Sequence, residues 1–144
     1  MHLEEERRSY VDKVEMVEAD LSKQLIDAGA ELIRRLDDRG IQPDAAFWFY
    51  FPDISAWKLV LAQAQVGKRG PKGIYRQIQR TLTAAKAELK PLELGHIALA
   101  KPDAPMVGLL RTVVRTGPGI GGIRFTHNVV NGTLIEDAYI YRLT

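Results

Sequence analysis

Apolar residues recur along the first quarter of the chain at steps of three and four. Tyr10, Val14, Val17, Leu21, Leu25, Ala28, Leu32 and Leu36 form one stripe, which predicts a helix over residues 3–38. Gly40 followed by Pro43 supplies the stop. The stripe repeats about every 3.7 residues, nearer a straight helix than a heptad seam. A helix of that length measures ~50 Å, more than the core of a small domain needs. Two readings follow. Either the helix breaks, near Asp20-Leu21-Ser22 or at Gly29, or its first half projects as an arm and packs on a second copy to make a homodimer.

The pattern then changes period. The run AAFWFYF, Ala45–Phe51, predicts a strand buried on both faces. Pro52-Asp53-Ile54-Ser55 is turn chemistry, and residues 57–64 return as the second strand of a hairpin. Between Gly70-Pro71 and Lys90-Pro91, the positions Ile74, Tyr75, Ile78, Leu82, Ala85 and Leu89 repeat with helical spacing, so residues 69–90 predict an amphipathic helix. A short strand over 96–100 follows. A third helix is expected over 104–115, capped by Asp103, with Met106, Leu109, Leu110, Val113 and Val114 inward. Asn131-Gly132 is the preferred type I′ pair, so Ile123–Val130 and residues 133–142 should form a hairpin. Its register sets Ile123 opposite Ile140, Phe125 opposite Ala138, and His127 opposite Glu136. The expected order is α-β-β-α-β-α-β-β. This is an α+β fold: a long N-terminal helix, a mixed five-stranded sheet and two further helices. Residues 1–40 form the helix and 41–144 the α+β core, in one domain overall.

Composition adds limits. A length of 144 residues suits one domain, and 46% hydrophobic with 26% charged residues is ordinary for a globular chain. The absence of cysteine removes disulfides and thiolate chemistry. The charged start MHLEEERRSY is not a signal peptide, and no apolar run nears the ~20 residues of a membrane span. A cytoplasmic setting without a membrane partner is therefore expected. Charge is unevenly spread. Residues 1–67 carry 8 basic and 13 acidic side chains, residues 68–124 carry 11 and 3, and residues 125–144 carry 1 and 2. The middle of the chain is where an anionic partner would be drawn.

That excess concentrates on one helix. At about 100° per residue, Lys72, Arg76, Arg80, Lys86 and Lys90 fall opposite the apolar face of the 69–90 helix, with Gln79 and Thr83 among them. A row of cations over ~27 Å can neutralise nucleic-acid phosphates and release their counterions. The row holds no aromatic for base stacking and few groups for base reading, so any such binding should be weakly sequence-specific. The same row could instead be a solvated face, or dock an acidic protein surface such as the N-terminal arm.

Three further sets carry possible chemistry. The glycine-rich run from Arg115 to Gly122 follows a helix and precedes a strand, the reverse of a nucleotide-binding loop. It could make a backbone anion nest beside Arg111 and Arg115, or simply a helix stop and turn. His127 and Glu136 are weak catalytic candidates: a carboxylate can orient a histidine base, and both should sit on the face with Ile123, Phe125, Ala138 and Ile140. No serine or cysteine nucleophile accompanies them, and the two residues are thin for a metal site. Pro52-Asp53 ahead of Lys58 and Lys68 hints at a PD-(D/E)xK nuclease, but Ala56 and Val66 stand where the second acid is needed, so such a nuclease would be degenerate.

The stretches FWFYFPDISAWKLVLA and IRFTHNVVNGTLIEDAYIYRL resemble a group of uncharacterised small bacterial proteins, over most of the chain from Ala45 onward. The resemblance implies a bacterial cytoplasmic setting and no activity. The reading that results is a non-catalytic binding or assembly module with a basic helix face for nucleic acid or an acidic protein, with no metal and no cofactor expected. The alternative is a phosphate-handling enzyme using Arg115, Arg124, His127 and Glu136, or the degenerate metal-dependent nuclease.

Overall fold

The computed structural model describes residues 20–63 and 70–144. The first helix among the described residues, α1, is Lys23–Asp38. It starts where the Asp20-Leu21-Ser22 break was one expectation: Ser22 is the N-cap, and its hydroxyl accepts the Leu25 N–H at 3.1 Å. The chain leaves the helix through Gly40, at φ +77°. The Gly40 N–H donates to the Asp37 carbonyl and the Ile41 N–H to the Leu36 carbonyl, a Schellman ending. Leu21, Ala28, Leu32 and Leu36 are buried, so this half of the stripe is spent on the protein's own core. The other half, from Tyr10 to Val17, lies outside the described residues, and the arm with it. Gly29 does not break the helix.

Five strands make one mixed sheet in the order β3-β2-β1-β5-β4. Strands β1 (Ala45–Phe51) and β2 (Ala56–Ala62) form the expected hairpin, closed by a 3-10 turn over Pro52–Ile54. β1 is central, pairing antiparallel with both β2 and β5, which is why its run is apolar on both faces. β2 pairs parallel with the short β3 (Ile97–Ala100) after a helical crossover. The expected single helix over 69–90 is two pieces, α2 (Lys72–Ala84) and α3 (Lys86–Leu89). The chain bends at Ala85, where φ is −116° and ψ 35°. Leu82, Ala85, Leu89 and Leu92 nonetheless all reach the same core, so burial is conserved through the bend.

The next helix, α4, is Pro105–Arg111, shorter than expected. Asp103 does not cap it; Ala104 is the N-cap and Pro105 fills the first turn. Val107 and Leu110 are fully buried, but Val113 is 47% exposed. Beyond Arg111 the chain is drawn along β5 instead. The Thr116 N–H donates to the Leu143 carbonyl, and the Gly121 N–H to that of Tyr141. Two strands then complete the sheet, β4 (Ile123–Val130) and β5 (Thr133–Leu143), joined through Asn131 and Gly132 at φ +49° and +81°. The fold is α+β. One core lies between the sheet and α1, α2 and α3. A second lies between the opposite face and α4. No helix among the described residues is long and apolar enough to cross a membrane.

Candidate functional site

The face of α2 is built by its burial pattern. Ile74, Ile78 and Leu82 point into the first core, which leaves Lys72, Arg76 and Arg80 exposed on the outside. Gln79 and Thr83 lie on the same outer side and hydrogen-bond to each other at 3.1 Å. None of these three cations is in an ion pair among the described residues. Other cations of the fold are differently placed. Lys23 pairs with Asp27, Arg34 and Arg35 with Glu31, Arg124 with Asp137, and Arg142 with Asp37.

The bend at Ala85 divides the sequence row. Lys90 rims a shallow depression with Asp27 and Glu31 of α1, so it faces acidic side chains. Arg111 and Arg115 belong to the α4 side, on the opposite face of the sheet from α2. Arg111 is held by backbone: its Nε donates to the Thr144 carbonyl at 2.9 Å and its Nη1 to that of Pro102 at 2.6 Å. Arg115 is exposed in the loop that follows.

His127 and Glu136 sit at a fault in the hairpin. The ladder keeps its expected register on both sides, with Thr126 opposite Asp137 and Asn128 opposite Ile135, but the pair between them is not formed. His127 has φ +47°, the left-handed region. Inward facing slips by one residue here: Ile135 and Ala138 lie in the same core although three positions apart. The expected placement of His127 and Glu136 on the Ile123–Phe125 face is therefore corrected. They line a cavity of about 200 Å³ with Tyr50, Trp57 and Asp137, and Tyr50 and Trp57 belong to the face of the sheet that α1, α2 and α3 cover. No hydrogen bond joins the two among the described residues. Asp137 is itself engaged by Arg124 through two bonds of 2.6 and 2.5 Å, and that guanidinium lies 5.5 Å from the Trp57 ring centre. The carboxylate of Asp137 holds Arg124 above its ordinary pKa.

No family model, curated protein or solved structure matches this chain.

One cavity had no counterpart in the sequence reading. It encloses about 530 Å³ between the start of α1, the β1–β2 turn and the segment leading into β3. Lys58, Glu93 and His96 line it beside Leu25, Trp57 and Pro91. The His96 Nδ1 accepts the Glu93 backbone N–H at 3.0 Å, and its ring meets Trp48 edge-on at 5.9 Å. Burial pushes the His96 pKa below its usual value, against the pull of the Glu93 carboxylate; nearby Lys58 lowers it further. Lys58 Nζ donates to the Gly95 carbonyl at 2.5 Å. Asp53, the acid of the Pro52-Asp53 pair, is exposed on the turn and does not line this cavity. Among the described residues no group of three or more His, Asp or Glu could hold a metal. The cavity went unseen because its walls come from residues near 20, 55 and 95. A lone histidine ahead of a short strand carries no spacing signal.

Proposed function

We propose that this protein is a non-catalytic binding module that offers the outer face of α2 to an anionic partner, with nucleic-acid phosphates favoured over an acidic protein surface. The observation that carries the reading is the exposure of Lys72, Arg76 and Arg80 in one row with no carboxylate partner among the described residues. Exposed cations left free of local acids attract mobile anions rather than stabilise the fold. Their spacing of four residues places them about 6 Å apart along the axis, and the row offers cationic donors that suit phosphate oxygens, without an aromatic platform. Such a face suits backbone contact, not base reading.

Fluorescence anisotropy with a labelled duplex at two salt concentrations tests this. Three neutralised phosphates give a slope of log affinity against log salt of about −2.7. Arg76→Glu with Arg80→Glu should weaken binding to unrelated sequences alike and leave the melting profile unchanged, because both side chains point away from Ile74, Ile78 and Leu82. Absence of salt-sensitive binding to DNA or RNA at low ionic strength removes nucleic acid and leaves an acidic protein surface as the partner.

A further inference from the structure

We propose that the cavity beneath the β1–β2 turn binds a small organic monocarboxylate with an apolar body, its head group held by Lys58 and the Nε2–H of His96. The polar groups on the cavity wall differ in exposure. Lys58 and His96 are both partly buried, whereas Asp20 and Glu93 are exposed. The two half-buried residues supply donors, and the two exposed ones are acids.

The tautomer of His96 follows from its neighbour. A backbone N–H already occupies Nδ1, so the neutral ring carries its proton on Nε2. The lone pair a general base would need is thus committed, and His96 serves as a hydrogen-bond donor. Among the described residues Nε2 makes no hydrogen bond. Lys58 spends one proton on the Gly95 carbonyl and forms no ion pair among the described residues, leaving two donors. A carboxylate satisfies both groups with charge-assisted bonds.

The rest of the wall sets the body and the charge of the ligand. Leu25, Trp57 and Pro91 offer apolar surface, and a volume of about 530 Å³ lies in the range of small-molecule sites. The rim acids Asp20 and Glu93 disfavour a second negative charge, so a phosphate ester fits less well than a monoanion.

The test uses the full chain and three probes with related bodies: phenylacetate, phenethylamine and phenyl phosphate. NMR follows the His96 ring and the Gly95 amide. Phenylacetate should shift both saturably, and the amine and the phosphate should bind at least about tenfold more weakly. Lys58→Met should cost about tenfold in phenylacetate affinity through loss of a charged hydrogen bond. His96→Phe, which keeps a ring beside Trp48, should lower it independently. The proposal is overturned if phenylacetate gives no saturable shift at millimolar concentration, if the amine or the phosphate binds as well, or if both variants bind like the wild type. Should both variants unfold, the wild-type probe series decides alone.

Discussion

Gly29 is the residue at which the α1–sheet packing can be tested most sharply. In an exposed helix interior, Gly→Ala stabilises by about 1 kcal/mol. Here the opposite is expected. Tyr141, 1% exposed, accepts the Trp48 indole N–H at 2.8 Å and donates to the Ile26 carbonyl at 2.6 Å. A Cβ on Gly29 would overlap the Tyr141 hydroxyl, with Trp48 Nε1 at 3.0 Å and Tyr141 Cζ at 3.1 Å. Overpacking of this kind costs roughly 1–3 kcal/mol, so Gly29→Ala should destabilise by ~1 kcal/mol after the helix gain. Tyr141→Phe removes both hydrogen bonds and orphans the buried Trp48 N–H, a loss of ~2 kcal/mol. The double variant should lose less than the sum, because deleting the hydroxyl removes the atom the new methyl would strike. Coupling of ~1 kcal/mol is expected for residues in contact. Urea melts followed by circular dichroism resolve this, since 2 kcal/mol moves the midpoint by roughly one molar. A Gly29→Ala protein as stable as the wild type, or strictly additive losses, would refute the close approach.

Other outcomes follow from the same geometry. Arg142 is 5% exposed and pairs with Asp37 at 2.6 Å, so Asp37→Asn should cost ~2–3 kcal/mol by leaving a buried cation half-compensated; a loss under about 0.5 kcal/mol would mean the pair behaves as a surface contact. Gly132→Ala should lose ~1 kcal/mol, since φ +81° strains any side chain, and an unchanged melt would contradict the type I′ turn. For His96 the folded pKa lies below the unfolded value near 6.5, so the unfolded chain binds more protons in the window just below 6.5. Stability from this residue should be complete above that value and decline as pH falls through the window. The decline should be shallower in His96→Phe than in the wild type, and identical pH profiles would mean His96 titrates alike in both states.

What could be read from the chain was what local chemistry fixes. Asn131-Gly132 specified the last hairpin and its register, and the unbroken apolar run of β1 announced a central strand. The two faces of α2 were equally plain, because Ile74, Ile78 and Leu82 recur at helical steps. Features decided by distant contacts were not legible. The early end of α4 depends on Arg111 reaching Thr144 and on Thr116 joining Leu143. The bend at Ala85 lies inside a helical pattern that continues unbroken through it. The slip at His127 leaves the pairing register intact, so a register argument could not detect it. The cavity of Lys58 and His96 exists only once three remote segments meet.

The fault at His127 also bears on how this molecule coexists with copies of itself. β4 ends the sheet, and no strand among the described residues covers its outer rim. An open rim of eight residues, with Ile123 and Val129 exposed, is a template on which another chain can build, the first step toward fibrous aggregates. The left-handed residue cuts that template into 123–126 and 128–130 and reverses which side faces inward across the cut. A straight incoming strand that matches one piece presents the wrong face to the other. The interruption at the histidine leaves no continuous eight-residue edge for a straight strand to pair with.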